Sequence, residues 1–223
     1  MTGLPSPNFG ERRGAIRPSL IVIHYTAMAS CADARARLCD PAAEVSAHWL
    51  ISETGHPEAL VDESHRAWHA GAGAWAGLDD VNSQSIGIEL ANPGDQPFSD
   101  AQMTALETLL RSAMARWNIS PQRIIAHSDM APSRKRDPGA RFDWRRLALG
   151  GLSVWPQPGT AAPSGFAASL RAFGYPDSPN ADLLAAFRLR FRPWALGPLD
   201  VTDAGLAQDL AQRFAVDRAG AAS

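Results

Sequence analysis

The apolar residues of positions 1 to 150 fall into short runs that are separated by turn residues. Leu20–His24 is a largely β-branched run, which suits a strand buried on both faces of a sheet. Ser85–Leu90 is also strand-like and is followed by the turn sequence Asn92-Pro93-Gly94. The segments with strand character are 20–24, 47–52, 59–61, 85–90 and 123–127. The second and third of these read as a strand pair around a turn at 54–57.

A long amphipathic helix is predicted between the last two strands. Ser99 is its expected N-cap, and apolar residues follow at spacings of three and four. These residues are Met103, Leu106, Leu109, Leu110, Met114 and Trp117. Strands that alternate with helices indicate an α/β fold, which we expect to be a mixed central β-sheet flanked by helices.

The C-terminal part of the chain has a different organisation. Residues 150–163 are rich in glycine and proline and are predicted to be a linker. Three helical patterns follow, opened by Ser164, by Pro179 as the first helical residue, and by Thr202 as an N-cap. We therefore expect a catalytic domain over 1–149 and a small three-helix domain over 164–223. Three short helices bury little apolar surface alone, so the second domain is expected to pack on the first.

The amino-acid composition argues against some functional classes of protein. The chain has 223 residues, 45% of them hydrophobic, and a formal net charge of -2 with a pI near 6.3. This balance argues against a nucleic-acid-binding protein, which would normally carry a basic excess. No apolar run is long enough to span a membrane. The sequence leaves the oligomeric state open.

The N-terminal sequence gives an expectation for the cellular compartment of the protein. No apolar segment of the kind found in signal peptides follows Arg12-Arg13, so a cytoplasmic protein is expected. A piece trimmed from an exported precursor would read the same and would be periplasmic.

The two cysteines, Cys31 and Cys39, lie in a segment that looks helical. Eight residues of helix span about 12 Å, which is beyond the reach of a disulfide. We expect two reduced thiols, and the chain has no further cysteine that could complete a metal site with them.

Two strand ends carry residues that can ligate a metal. His24 closes one buried strand, His127 closes another, and the loop after His127 leads to Asp137 through Pro132. Two imidazoles and one carboxylate with an open fourth position are the ligand set of a catalytic zinc ion. The wide spacing of these residues is not diagnostic, and polar histidines with a structural role remain the alternative at this point.

Five segments, in chain order, carry a family resemblance. They are VIHYTA at 22–27, VSAHWLI at 45–51, RAWHAG at 66–71, NSQSIGIEL at 82–90 and the loop at 127–139. Together they resemble the N-acetylmuramoyl-L-alanine amidases of the AmpD/AmiD type, the amidase-2 family. Segments 187–192 and 197–200 are also similar to the peptidoglycan-binding domain appended to AmiD-like members.

The resemblance implies an activity and a set of site residues. The activity is zinc-dependent hydrolysis of the amide bond between L-alanine and the lactyl group of N-acetylmuramic acid or its 1,6-anhydro form. It implies one Zn²⁺ per chain, held by His24, His127 and Asp137, with Glu89 as acid/base residue and Lys135 in the catalytic site. Related peptidoglycan recognition proteins often have cysteine where this chain has Asp137.

Lys135 and Glu89 also have support from the residues themselves. Lys135 is the only lysine in the chain, and a compact ammonium suits a developing oxyanion better than a planar guanidinium does. A compositional bias towards arginine is the alternative. Glu89 shares its strand face with Gly87 and Ala91, whose small size would leave room for substrate.

The remaining site predictions concern substrate binding. His69 is expected to contact the stem peptide or the oxyanion, and Arg66 and Arg134 to pair with stem-peptide carboxylates. Asn82 is expected to fix the loop before Glu89 or to touch substrate. Surface or core roles are the alternatives for all four, and for Trp68 and Trp75 as groove residues. His48, His56 and His65 are assigned to structure or surface.

Three other functions stay open at the level of sequence. They are a peptidoglycan-binding module without turnover, a zinc peptidase that cuts within the stem peptide, and an interaction protein without metal. The expected partners are muropeptides and possibly intact peptidoglycan. The apparent lack of an export signal points to cytoplasmic recycling of anhydro-muropeptides, whereas the wall-binding-like tail points to polymeric wall.

Overall fold

The computed structural model describes residues 5–216 of the chain. The outer ends of the two predicted domains, residues 1–4 and 217–223, lie outside the described residues. Within the described range a five-stranded mixed sheet has helices packed on both faces. The predicted α/β class is confirmed.

Two sheets are present among the described residues. Their strands are β1 (Phe9–Gly10), β2 (Leu20–Tyr25), β3 (Trp49–Ile51), β4 (Pro57–Ala59), β5 (Arg66–Ala67), β6 (Ser85–Leu90) and β7 (Ile124–Ala126). The main sheet has the order β4-β3-β6-β2-β7, in which only β4 runs antiparallel to its neighbour. Strands β1 and β5 form a small antiparallel pair. Strand β2 lies between two parallel neighbours, and its residues Leu20–Ile23 are buried on both faces, which accounts for their apolar sequence without alternation.

The helices follow the apolar periodicity of the sequence. They are α1 (Cys31–Cys39), α2 (Val81–Gln84), α3 (Asp100–Trp117), α4 (His127–Met130), α5 (Trp144–Leu149), α6 (Phe166–Phe173), α7 (Asn180–Phe191) and α8 (Val201–Phe214). The predicted N-cap of α3 is confirmed, since the Ser99 side chain accepts a hydrogen bond from the Gln102 N–H. None of the described helices is both long and apolar enough to cross a membrane.

Several element boundaries differ from the sequence predictions, among them that of β7, which ends at Ala126 so that His127 begins α4. Strand β4 starts at Pro57, inside the predicted turn, and proline is tolerated at the start of an edge strand. Helix α7 starts at Asn180, with Pro179 as its N-cap residue. Helix α8 is capped by Asp200 rather than by Thr202, because the Asp200 carboxylate accepts the backbone N–H groups of Thr202 and Asp203.

The two faces of β2 enter different hydrophobic clusters. Ile21 and Ile23 pack with α3, which contributes Leu106 and Leu110 among others. Leu20 and Val22 pack into the cluster that contains the aromatic residues of α6 and α7. The C-terminal helices therefore cover one face of the sheet and share a core with it, as expected from their small size. The division into domains at 150–163 stays a prediction.

The first part of the predicted linker packs against the rest of the protein. Leu152 and Val154 are buried, and Trp155 packs against both large hydrophobic clusters. The glycine and proline content of this segment indicated a break in secondary structure, which is present. It did not reveal that the segment is anchored by its apolar side chains.

A buried ion pair joins α7 to the start of α4. The Arg190 guanidinium is fully buried, donates to the Asp129 carboxylate and lies over the Trp144 ring at 4.3 Å. Asp129 also accepts the Tyr175 hydroxyl and, at 2.9 Å, the Ala126 N–H. Asp129 thus ties the C-terminal helices to the turn in which β7 ends and α4 begins.

Both cysteines are free and half-buried in α1, as predicted.

Arg190→Met should lower the free energy of unfolding by about 3–5 kcal/mol, because Asp129 would remain as a buried carboxylate without its cation. Asp129→Asn combined with Arg190→Met should recover part of this loss. Arg213→Met is a matched control, since this exposed pair with Asp209 should contribute less than about 1 kcal/mol. Urea denaturation followed by circular dichroism measures all three. Equal losses in the Arg190 and Arg213 variants would contradict a stabilising role for the buried pair.

Candidate metal centre and active site

Three potential metal ligands meet at one edge of the main sheet. His24 comes from β2, His127 begins α4 directly after β7, and Asp137 comes from the following loop. The His24 Nδ1 lies 2.9 Å from the His127 Nδ1 and 2.9 Å from the Asp137 Oδ2. The His127 Nδ1 lies 3.0 Å from the same carboxylate oxygen. The three donor atoms are close enough to hold one metal ion.

The parallel register of the strands accounts for part of this convergence. His24 on β2 lies opposite Glu89 on β6, and Ile23 lies opposite Ala126 at the end of β7. The carboxyl ends of these strands therefore open at the same edge, where α/β proteins usually have their sites. Asp137 returns to this edge because its carbonyl accepts the Ser128 N–H at 3.0 Å.

The electrostatics of His24 and Asp137 suit a metal. Burial, with the neighbouring His127 adding to it, lowers the pKa of His24 to about 4. Burial alone would raise the pKa of Asp137, but hydrogen bonds with His127 and His24 outweigh it and hold that pKa well below its usual range. At neutral pH His24 is therefore a neutral imidazole and Asp137 a carboxylate. These are the protonation states in which histidine and aspartate bind divalent metals.

Glu89 stands beside this cluster as an unusual carboxyl group. The residue is half-buried, but its Oε2 is buried and has no hydrogen-bond partner among the described residues. Burial raises the pKa of Glu89 to about 8; Asp137 adds to the increase and Lys135 opposes it. A carboxyl group with a pKa near neutrality can take up and release a proton at physiological pH.

A cavity of about 430 Å³ lies over these groups. Its lining includes Glu89, Lys135 and the three candidate ligands, and α1 contributes Arg37 and Leu38. Sequence reasoning did not single out Arg37, because one arginine on the polar face of a helix looks like an ordinary solvated residue. A volume of this size is in the range of small-molecule sites.

Comparison with known proteins identifies the family. Residues 14–140 match the model of the N-acetylmuramoyl-L-alanine amidase family. AmiD of Escherichia coli K12 is 35% identical over 237 residues, which cover 90% of this chain and 85% of AmiD. The chain belongs to the N-acetylmuramoyl-L-alanine amidase family. AmpD of Haemophilus influenzae is 36% identical to this family member over 161 residues, which cover 64% of the chain and 88% of AmpD.

Solved structures of related amidases have the same fold. The complex of Escherichia coli AmiD with the substrate anhydro-N-acetylmuramic acid-L-Ala-D-γ-Glu-L-Lys gives a TM-score of 0.82 at 31% identity, covering 95% of this chain and 99% of AmiD. AmpDh3 from Pseudomonas aeruginosa in complex with anhydromuramic pentapeptide gives a TM-score of 0.81 at 28% identity, covering 97% and 100% of the two chains. The similarity includes the C-terminal helices, since it spans nearly the whole chain.

Two predicted substrate residues of this amidase family member, His69 and Asn82, have hydrogen-bond partners within the protein, and His69 also lines the cavity. The His69 ring lies between His24 and Ser85, and it fills the space that Gly87 leaves free. The small residue on the Glu89 face therefore makes room for an imidazole and not for substrate, contrary to the prediction for Gly87. The Asn82 Oδ1 accepts the backbone N–H groups of His69 and Ala70, so Asn82 fixes this segment.

The two arginines predicted to bind substrate have different positions. Arg66 pairs with Asp80 at 3.0 Å and is not among the residues that line the cavity. Arg134 lines the cavity and donates through Nη2 to the carbonyl groups of Ala70 and Ala72.

The two tryptophans considered as groove residues lie in different environments. Trp68 lines the cavity, whereas Trp75 is fully buried in the core beside Phe173.

The raised pKa of Glu89 predicts a pH effect on the metal-free protein. Between its ordinary value of 4.5 and about 8, the folded protein binds more protons than the unfolded chain, so the free energy of unfolding falls as pH rises. Glu89→Gln cannot ionise and avoids this loss. Its stability relative to the wild type should therefore increase between about pH 5 and pH 8. Urea denaturation of both proteins with a chelator present measures the difference. An equal difference at both pH values would contradict a buried, hard-to-ionise Glu89.

Proposed function

We propose that this chain hydrolyses the amide bond between the lactyl group of N-acetylmuramic acid, or its 1,6-anhydro form, and L-alanine in muropeptides. The observation that carries the proposal is the convergence of His24, His127 and Asp137 beside Glu89 on the wall of one cavity. The membership of the chain in the N-acetylmuramoyl-L-alanine amidase family supports the same reaction.

The donor set favours one zinc ion per chain. His24 and His127 would supply neutral nitrogen ligands and Asp137 an oxygen ligand, which leaves a fourth position open. Imidazole ligands favour zinc over calcium or magnesium, which prefer oxygen alone. When bound, zinc polarises a carbonyl oxygen and lowers the pKa of a water molecule towards neutrality.

Glu89 would move the proton during hydrolysis. Its carboxylate takes a proton from the attacking water and delivers it to the nitrogen of the leaving L-alanine. Two properties support this role, namely an Oε2 without a protein partner and a pKa raised by burial. Its position opposite His24 places it beside the candidate ligands.

Lys135 would stabilise the negative charge that develops on the carbonyl oxygen. It lies in the wall of the cavity and is half-buried, two residues before Asp137. A fixed cation at the reacting carbonyl stabilises the transition state more than the ground state, because the charge on oxygen is larger there.

The substrate class follows from the chemistry of the cavity and from the relatives. AmiD and AmpDh3 have been solved with anhydromuramic peptides. Arg37 and Arg134 in the cavity wall would pair with carboxylates of the stem peptide. Arg66 is not retained in this role, because its guanidinium pairs with Asp80. We propose anhydro-muropeptides in the cytoplasm as the substrate, and polymeric wall is the alternative that a direct comparison of the two substrates decides.

Glu89→Gln should lower amidase turnover by roughly 10²- to 10⁴-fold while zinc content stays at one per chain, because it removes the proton acceptor and no ligand. Asp137→Ala should lose the metal as well as the activity. Glu58→Gln on β4, which is not among the cavity residues, is the matched control and should keep both. Atomic absorption measures zinc, and mass spectrometry of a digested anhydro-muropeptide identifies the products. Cleavage within the stem peptide, in place of release of the sugar from L-alanine, would show a peptidase and contradict the proposal.

Lys135→Met should reduce turnover by roughly 10²- to 10³-fold at unchanged zinc content, because one oxyanion-stabilising group is lost. Lys135→Arg should restore only part of the rate, since a guanidinium distributes its charge over a larger planar group. Steady-state kinetics on the same muropeptide measures both variants. Full turnover in Lys135→Arg would contradict a specific need for an ammonium group at this position. The single lysine would then reflect only the bias of the composition towards arginine.

A further inference from the structure

We propose that the segment His69–Ala70 sets the tautomers of both candidate zinc histidines, so that each presents the Nδ1 lone pair to the metal. This inference rests on the proposed function. It assigns His69 a positioning role, in place of the contact with substrate or oxyanion that the sequence predicted.

The hydrogen-bond direction starts at the carbonyl of Val81. A carbonyl oxygen can only accept, so the Ser85 hydroxyl donates its single proton to it at 2.6 Å. The Ser85 Oγ is then an acceptor for the Nε2–H of His69, which lies 3.1 Å away. A neutral His69 that carries its proton on Nε2 has an unprotonated Nδ1.

The next step reaches the first candidate ligand. The His69 Nδ1 lies 3.0 Å from the His24 Nε2, so it accepts the Nε2–H of His24. The Nδ1 of His24 therefore keeps its lone pair, and this is the atom that faces His127 and Asp137. The chain Val81, Ser85, His69, His24 has only one consistent direction of donation as long as the Val81 carbonyl is satisfied.

The second candidate ligand is oriented by the neighbouring residue. The His127 Nε2 lies 2.8 Å from the Ala70 carbonyl oxygen, which can only accept. His127 therefore carries its proton on Nε2 and also presents Nδ1. One dipeptide thus acts on both imidazoles, through a side chain at position 69 and a backbone carbonyl at position 70.

The position of this dipeptide is itself held from two sides. The buried Asn82 accepts the N–H groups of His69 at 3.0 Å and of Ala70 at 2.8 Å through one oxygen. On the sheet side, a Cβ atom at Gly87 would lie 2.4 Å from the His69 Cγ, so only glycine leaves room for the ring. These contacts explain why histidine, asparagine and glycine occur at positions 69, 82 and 87.

Partners that orient a ligand histidine typically contribute about 10- to 100-fold to metal affinity. His69→Leu should therefore weaken zinc binding by about this factor, measured by competition with a chelator. His69→Asn is the matched variant, because its side-chain oxygen can accept the His24 Nε2–H from nearly the position of Nδ1. It should recover most of the affinity.

A second readout does not depend on activity. In the zinc-loaded wild type, ¹⁵N NMR should show His69 protonated on Nε2, and His24 and His127 protonated on Nε2 with Nδ1 bound to the metal. If His69→Leu fails to fold, Ser85→Ala replaces it, because loss of the hydroxyl removes the acceptor for the Nε2–H. This variant should populate the Nδ1–H form of His69 and lower zinc affinity.

The possible outcomes distinguish failure of the tautomer inference from failure of the proposed amidase function. Zinc binding by the wild type with His69 protonated on Nδ1, or unchanged affinity in folded His69→Leu, would overturn this inference and leave the proposed amidase intact. Equal losses in the leucine and asparagine variants would show that packing alone matters and would also overturn it. A wild type that binds no zinc would overturn both.

Discussion

The structure depends on keeping two imidazoles and a carboxylate together in a buried place, with donor atoms 2.9 to 3.0 Å apart. Burying polar groups is costly unless each finds a partner. Parallel strand pairing brings the two imidazoles together, because the carboxyl ends of β2 and β7 lie at the same edge of the sheet. Hydrogen bonds reduce the cost of burying the rings of His24 and His127, since the Nε2 atom of each has a partner in the protein.

The C-terminal helices contribute to the same site from the other side. Arg190 of α7 and Tyr175 bind Asp129, which lies two residues after His127 in α4. The aromatic residues of α6 and α7 complete the cluster on the Leu20 and Val22 face of β2. This part of the chain therefore stabilises the sheet and the turn that carry the candidate ligands His24 and His127.

Sequence reasoning identified residues that meet at the candidate site, but it could not identify the partners that some of them have within the protein. His24, Glu89, His127 and Asp137 meet as expected, because strand ends and a proline-containing loop restrict where those side chains can go. Arg66 and His69 were expected to contact substrate. Arg66 pairs with Asp80, and His69 lines the cavity while it is also hydrogen-bonded to His24. Whether a polar side chain turns to solvent or inwards depends on neighbours that are distant in the chain, such as Asp80 and Ser85.

The sequence by itself determined the α/β class, the buried character of β2, the amphipathic α3 and the family to which the chain belongs. These features follow from local periodicity and from short motifs, which do not require knowledge of distant contacts. Only the tertiary structure decided that the C-terminal helices cover the Leu20 and Val22 face of β2, that Gly87 makes room for His69, and that Arg190 pairs with Asp129. Each of these depends on atoms that are brought together by packing between remote segments, and no pattern along the chain records such distances.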